Sequence, residues 1–383
     1  MAQQGLTKVE QIYQDRSAGA KELKRRGKRI IGYFCCLTPV EVFTAADLVP
    51  YRIMGNVKEA ITKADAHLEV IACPYTRSCL DLALQGKYDF LDGFVVPHAC
   101  DNIVKLYDIW KHNIKPTYAH FLNVPHTLSR PSHEFFLAEL GTFKKSLERY
   151  VRREITDESL NEAIRLHNKN RALVRELYDL RKKDPPLISG SEVTKTLVCA
   201  MSLPVRESNE LLTEVIEDVI GRKDRPQKKP ARLLIYGSEI DSTDFIEMVE
   251  GSGANVVMDD LSIGYRPFAQ DVETTNEPLV SLANRYLEKL TCPRFYKDKE
   301  GDTHEGDLEV RFGHLQDYAK DFNVNGAILH VIRYCDTFAF DLPDVKEFLT
   351  QAGIPVLDFE DDYTVTSIQR LKVRVQAFLE MIS

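Results

Sequence analysis

The feature of this sequence that most constrains its fold is a strand–helix–strand pattern near the amino terminus. Arg29–Cys35 is a short apolar run that ends at a polar turn, as a buried strand does. Thr38 and Glu41 then have the spacing of a capping box, with a proline between them, and predict a helix over Val40–Leu48. A second strand, Tyr51–Met54, follows. Two strands joined by a helix are typical of a parallel sheet, because parallel neighbours need a long crossover.

The same alternation continues along the chain. Strand, helix and strand are next predicted at Asp92–Pro97, Asp101–His112 and Thr117–Leu122. A later series has strands at Arg232–Gly237, Asn255–Met258, Gly326–Arg333 and Ile354–Phe359, with helices at Asp244–Gly251, Val345–Ala352 and Ile368–Ile382. Between the two series, residues 133–182 have helical spacing, and the basic, proline-containing segment 221–230 is typical of a linker.

These patterns predict two domains, since 383 residues exceed what one hydrophobic core usually supports. The expected fold is α/β, with two doubly wound parallel sheets of the Rossmann or flavodoxin kind and a helical segment between them. The predicted divisions are an N-terminal helical segment at 1–28, a first α/β domain at 29–132, a helical segment and linker at 133–230, and a second α/β domain at 231–383.

Charge and hydropathy exclude some partners and locations. The formal net charge of -8 argues against nucleic acid as the main partner. The amino terminus has no apolar signal region and no apolar run approaches a membrane span, which predicts a cytoplasmic protein. In that reducing compartment the eight cysteines are expected to be thiols, metal ligands or small buried hydrophobic residues.

Five cysteines lie where ligands of α/β proteins collect. Cys100 and Cys335 each follow a predicted strand and precede an aspartate and a helix, Cys73 lies in a turn that opens a helix, and Cys35 and Cys36 close the first strand. Ligands gather at the carboxyl ends of parallel strands, and helix N-termini stabilise thiolates and anionic clusters. These positions suit a metal cluster in a cleft between two domains, although cysteines at strand ends are more often structural than ligands. The alternative is that each cysteine is a small buried hydrophobic residue.

Other motifs add little chemistry. The absence of Cys-x-x-Cys excludes a ferredoxin-type run and a zinc ribbon, and the absence of a glycine-rich phosphate loop argues against ATP binding by the chain itself. Cys79 and Cys199 are interpreted as core residues, whereas Cys292 is open between core and site. His98, beside Cys100, is either a proton donor or a structural histidine.

A series of short motifs extends from about Arg29 to Phe378. In order they are Gly32-Tyr33, Pro39-x-Glu41, Ala45-Ala46, Cys73-Pro74 with Arg77, Cys100-Asp101, Pro185-Pro186, Ser189-Gly190-Ser191, Cys335, Gly353-Ile354-Pro355, Asp362-Tyr363 and the segment from Arg370 to Phe378. In this order they resemble the iron–sulfur subunits of the benzoyl-CoA reductase and 2-hydroxyacyl-CoA dehydratase superfamily, and most closely those of the benzoyl-CoA reductases.

The resemblance implies a 4Fe–4S cluster held by Cys73, Cys100 and Cys335. It also implies a homologous cluster-bearing subunit in a hetero-oligomer, and an ATP-hydrolysing iron–sulfur activator that delivers electrons at low potential. The substrate would be an acyl-CoA whose thioester becomes a ketyl-type radical. The outcome would be either reduction of an aromatic ring or loss of a β-placed water.

Departures from the family pattern bear on the reaction. Asp47 replaces a common glycine, Cys35-Cys36 stands where other residues are usual, and Ser367-Ile368-Gln369 replaces an aspartate and a Gly-Gln pair of dehydratases. The last difference favours a ring reductase of anaerobic aromatic degradation, with a dehydratase as the alternative. Cys36 is expected to touch the cluster or the substrate, or to be a spectator. A metal-free α/β protein that binds a small ligand or serves in assembly is a third hypothesis.

Overall fold

The first sheet of the computed structural model, which describes residues 4–296 and 303–382, consists of four parallel strands. They are β1 Ile30–Tyr33, β2 Val49–Arg52, β3 Gly93–Pro97 and β4 Tyr118–Leu122, in the order β2-β1-β3-β4. Phe94 and Val96 pack into one hydrophobic cluster and Val95 into another on the opposite face. Because both faces are covered, the strands form continuous apolar runs in the sequence.

The second sheet repeats this arrangement. Its strands are β5 Ala231–Gly237, β6 Ala254–Asp260, β7 Gly326–Ile332 and β8 Val356–Asp361, all parallel, in the order β6-β5-β7-β8. Leu233 and Ile235 pack on one face, and Leu234 and Tyr236 on the other. The predicted fold class, an α/β fold with two doubly wound parallel sheets, is confirmed. The exact domain divisions stay predictions, and their ends at residues 1 and 383 lie outside the described residues.

Helices fill the crossovers and the region between the sheets. In chain order they are α1 Gln4–Gln14, α2 Ser17–Arg25, α3 Val40–Ala45, α4 Pro74–Leu84, α5 Asp101–Ile114, α6 Arg130–Val151, α7 Asp157–Asp179, α8 Gly190–Ala200, α9 Val205–Gly221, α10 Thr243–Gly251, α11 Pro278–Ala283, α12 His304–Asp321, α13 Asp336–Gln351 and α14 Val365–Ile382. A wider helical turn, Asn284–Lys289, continues α11. In the described part of the chain, no helix is both long and apolar enough to cross a membrane.

Several local features differ from the predictions; for example, α13 begins at Asp336 and not at Val345. Strand β2 begins at Val49 and includes Pro50, which was expected to precede the strand. Proline is tolerated there because β2 is an edge strand and does not need that N–H for a neighbour. The predicted capping box is also wrong. The Thr38 hydroxyl donates to the Phe34 carbonyl at 2.7 Å, and the N-cap residue of α3 is Pro39, which makes no side-chain cap.

Glu41, the other half of the expected capping box, serves tertiary structure instead. Its side chain is fully buried, pairs with Arg171 of α7, and accepts a hydrogen bond from the Tyr286 hydroxyl at 2.8 Å. Burial alone raises the pKa of Glu41, but the neighbouring Arg171 outweighs it and the pKa falls to about 2. This carboxylate therefore joins α3 to α7 and to the turn after α11.

We expect Glu41→Ala to lower the free energy of unfolding by roughly 3–5 kcal/mol, because the substitution leaves the Arg171 guanidinium buried without its counter-ion. Urea denaturation measures the change. The matched control is Glu134→Ala, which breaks a largely exposed pair with Arg130 and should cost about 0.5 kcal/mol or less. Equal effects of the two substitutions would contradict this interpretation.

Candidate metal centre

Residues beyond the strand ends of one sheet contact residues beyond the strand ends of the other. The Arg52 guanidinium, at the end of β2, donates to Glu239 Oε1 at 2.9 Å and to Ser262 Oγ at 3.0 Å. The Gly55 backbone N–H donates to Asp241 Oδ2 at 2.8 Å. Arg52 is 1% exposed and Glu239 13%, so the ion pair is shielded from water. These contacts hold the carboxyl edges of the two sheets face to face.

A cavity of about 80 Å³ lies between these edges. One water needs roughly 10–15 Å³ on the same scale, so the cavity has room for a small polyatomic group. The buried side chains of Phe34, Ile332 and Phe338 contribute to its wall. Six of the eight cysteines, all free thiols, also line it: Cys35, Cys36, Cys73, Cys100, Cys292 and Cys335.

Three of these cysteines occupy the same position in their helices. Cys73 is the N-cap residue of α4, Cys100 of α5 and Cys335 of α13, and we call them the N-cap trio. The first N–H groups of a helix have no partner inside the helix and carry a partial positive charge. Three helix N-termini therefore meet at one cavity, which suits thiolates and the anionic cluster they would hold.

Burial makes the thiols of the N-cap trio weak acids. It raises the pKa of Cys73 to about 12, and the nearby Cys100 sulfur contributes to the shift. Burial also raises the pKa of Cys335 well above its usual value, with further contributions from Cys73 and Cys100. These mutual effects indicate that the three sulfurs are near neighbours. A metal cation would reverse the shifts, because it favours the thiolate form of each ligand.

The arrangement of the thiols bears on the kind of metal that fits. Within the described ranges, no three His, Cys, Asp or Glu side chains converge closely enough to bind a single metal ion. An iron–sulfur cluster is instead held by thiolates on different iron atoms, so its ligands surround a cavity rather than a point. The N-cap trio, distributed around the cavity wall, fits a cluster better than a mononuclear ion.

Asn102 links the three loops that carry the N-cap trio. It lies two residues after Cys100, and its Oδ1 accepts the Cys73 backbone N–H at 3.1 Å. Its Nδ2 donates at 3.3 Å to the carbonyl of Tyr334, the residue before Cys335. Tyr334 has a left-handed backbone, with φ of 61°. The sequence gives no indication of this role beyond an asparagine in the first turn of a predicted helix.

The other three cysteines of the cavity form a second group, the second trio. The Cys36 thiol neighbours those of Cys35 and Cys292, and all three line the same cavity. The neighbouring Cys292 and Cys35 thiols lower the pKa of Cys36 well below its usual value. Cys36 therefore lies at the cavity, and Cys292, which the sequence left open, lies beside it.

Arg294 is a further site residue that the sequence did not indicate. Its side chain is 5% exposed and lines the cavity. The guanidinium donates to the backbone carbonyls of His98 and of Val124, the latter at 2.7 Å. Among the described residues, no carboxylate accepts a hydrogen bond from Arg294, and burial lowers its pKa to about 10. A buried cation of this kind favours an anion nearby.

His98 lies beside the cavity but is not among the described residues that line it. Its ring packs near Phe121 and His126, with centroid separations of 5.7 and 5.3 Å. Burial and the Arg294 charge lower the pKa of His98, which favours the neutral ring. The proposed role of His98 as a proton donor stays a prediction.

Two facing parallel sheets with a cysteine-lined cavity between their carboxyl edges define the class of protein, a two-sheet α/β protein with a thiol site in its cleft. Comparison with known proteins gives the family. The family model of the 2-hydroxyglutaryl-CoA dehydratase D-component matches residues 35–382. The chain belongs to this family, within the superfamily of benzoyl-CoA reductases and 2-hydroxyacyl-CoA dehydratases.

Individual relatives have both kinds of activity in their names. The chain is 27% identical to a benzoyl-CoA reductase subunit of Thauera aromatica, over 97% of this chain and 96% of that protein. It is 24% identical to the (R)-phenyllactyl-CoA dehydratase beta subunit of Clostridium sporogenes, over 94% of each chain. It is also 24% identical to the (R)-2-hydroxyglutaryl-CoA dehydratase beta subunit of Acidaminococcus fermentans, again over 94% of each chain.

We expect Asn102→Ala to lower the free energy of unfolding by roughly 1–3 kcal/mol, because the buried Cys73 N–H loses its acceptor. Amide exchange should also become faster around Cys73 and Cys335, which a purely global loss of stability would not do selectively. Hydrogen exchange with mass spectrometry and urea denaturation measure the two effects. Asn113→Ala, at an exposed helical position, is the control and should change neither.

Proposed function

We propose that this chain is the iron–sulfur subunit in the catalytic module of an ATP-dependent benzoyl-CoA-type reductase, an oxidoreductase that reduces the ring of an aromatic acyl-CoA. The observation that carries the proposal is the meeting of three helix N-termini, each with an N-cap cysteine, at one cavity. The similarity to a benzoyl-CoA reductase subunit over nearly the full length of both chains supports it.

In this proposal Cys73, Cys100 and Cys335 hold one 4Fe–4S cluster. When bound, such a cluster supplies single electrons at low reduction potential. The protein's contribution is to hold the thiolates and to offset their negative charge with helix N-termini. Asn102 is a positioning residue, since it fixes the relative places of the loops through the Cys73 N–H and the Tyr334 carbonyl.

The wall of the cavity serves the same chemistry by excluding water. Phe34 and Ile332 are each 1% exposed and Phe338 is 6% exposed. Substrate radicals of the reaction would be lost to protonation in contact with bulk solvent, so an enclosed apolar wall is required. The buried Arg294 adds a fixed positive charge at the cavity, where negative charge would accumulate.

The proposal includes two protein partners, a homologous cluster-bearing subunit and an ATP-hydrolysing iron–sulfur activator. Each of the three relatives described above is named as a subunit. Exposed apolar side chains lie close in sequence to the N-cap trio: Ile71 precedes Cys73 by two residues, and Phe340, 82% exposed, is in the first turns of α13 after Cys335. We infer that this apolar surface contacts the activator, because electrons must enter near the cluster ligands.

A 2-hydroxyacyl-CoA dehydratase subunit, which would make the enzyme a lyase that eliminates water, is the second candidate function. The matching family model and two of the relatives described above are named for such dehydratases. The same cysteine site would serve either reaction, because both begin with transfer of one electron to an acyl-CoA thioester. The difference lies in the substrate and not in the cluster ligands.

The cluster assignment is tested by iron and sulfide analysis of the anaerobically purified chain. We expect the purified protein to be brown, and Cys100→Ser to lose about four iron atoms per chain, because a thiolate ligand is replaced by a poor one. Cys79→Ser is the matched control, since Cys79 is a buried cysteine in α4 that does not line the cavity. A colourless protein without iron would favour the metal-free hypothesis.

The reaction is tested with the chain assembled with its homologous subunit and the activator, under anaerobic conditions with ATP. Benzoyl-CoA and an (R)-2-hydroxyacyl-CoA are supplied in separate assays, and products are separated by chromatography. We expect a dienoyl-CoA product from benzoyl-CoA and none when ATP is omitted, because the electron must be delivered at low potential. Dehydration of the hydroxyacyl-CoA with no ring reduction would contradict the reductase and support the dehydratase.

A further inference from the structure

The second trio has no place in the single-cluster proposal, although it lines the same cavity as the N-cap trio. Cys35 and Cys36 follow β1 of the first sheet, whereas Cys292 lies beyond the wider helical turn Asn284–Lys289. Segments far apart in sequence thus bring three thiols close together at the wall of one cavity. With the N-cap trio, six sulfurs surround one enclosed space.

The backbone holds the second trio in an unusual conformation. Cys35 has φ of 57°, in the left-handed region that residues with a side chain seldom adopt. This conformation lets consecutive residues, Cys35 and Cys36, both line the cavity. An extended strand would have directed the two side chains to opposite faces of the sheet.

The buried guanidinium of Arg294 lies beside these sulfurs. Arg294 lines the cavity beside Cys292, Cys35 and Cys100, which belong to both trios. Its hydrogen bonds go to backbone carbonyls, and among the described residues it has no carboxylate partner. Arg266, 1% exposed, also lines the cavity near Cys36 and Cys292, but its charge is already balanced by a buried ion pair with Asp260. The Arg294 cation would be stabilised by thiolates and by an anionic cluster.

We propose that Cys35, Cys36 and Cys292 hold a second iron–sulfur centre, which shares the cavity with the cluster of the N-cap trio. This inference rests on the proposed cluster function and extends it. Like the N-cap trio, Cys35, Cys36 and Cys292 line the cavity, and no three His, Cys, Asp or Glu side chains of the described residues converge closely enough to bind a single metal ion. A polynuclear centre requires only that its ligands surround a space. One chain would then hold two neighbouring clusters.

The test is iron and acid-labile sulfide per chain in the anaerobically purified full chain. We expect the wild type to contain about eight iron atoms, twice the content of one 4Fe–4S cluster. The double variant Cys36→Ser/Cys292→Ser should keep about four and should give a simpler electron paramagnetic resonance spectrum, because the interaction between two neighbouring centres is lost. Cys79→Ser/Cys199→Ser, at buried positions away from the cavity, is the matched control and should keep the full iron content.

The outcomes separate this inference from the proposed function. About four iron atoms in both the wild type and the Cys36→Ser/Cys292→Ser variant would overturn the second centre and leave the first intact. Absence of iron from the wild type would overturn both. Zinc in place of iron, or a Cys36–Cys292 disulfide found by alkylation and mass spectrometry, would also overturn the second centre. If the double variant does not fold by circular dichroism, Cys292→Ser alone must still lose iron, since Cys292 is only partly buried.

Discussion

The rest of this structure depends on the buried ion pair between Arg52 and Glu239. It joins the end of a strand in one sheet to the loop beyond a strand in the other, and it is largely shielded from water. In a parallel sheet every βα turn lies at the same edge, so two facing edges bring all of these turns together. The cavity and its six cysteines are a consequence of that arrangement.

Helix polarity gives the cavity its chemical character. In parallel α/β units the helix that follows a strand begins at the carboxyl edge, where its free N–H groups face the cleft. Cys73, Cys100 and Cys335 each occupy the N-cap of such a helix. The buried Arg294, which has no carboxylate partner among the described residues, adds positive charge at the cavity. The protein therefore provides sulfur ligands and a positive electrostatic environment from one topological feature.

The same site is compatible with a family that contains both reductases and dehydratases. The ligands come from loops at the sheet edges, and the fold that positions them does not depend on the acyl group. Subunits with either name align with this chain over more than nine tenths of both lengths. The proposed second centre involves Cys35 and Cys36, where the sequence departs from the usual family pattern, so differences within the family would arise at the cavity wall and not in the fold.

The sequence by itself determined the two parallel sheets and placed Cys100 and Cys335 at strand ends, because strands buried on both faces remain continuous apolar runs. Only the tertiary structure decided the partner of Glu41. Local spacing predicted that Glu41 caps a helix, but its carboxylate pairs with Arg171, which is 130 positions away in the sequence. The tertiary structure also brought Cys292 and Arg294 to the cavity. Those residues lie in a segment without periodic pattern, whose position is set by long-range packing and not by any local preference of the chain.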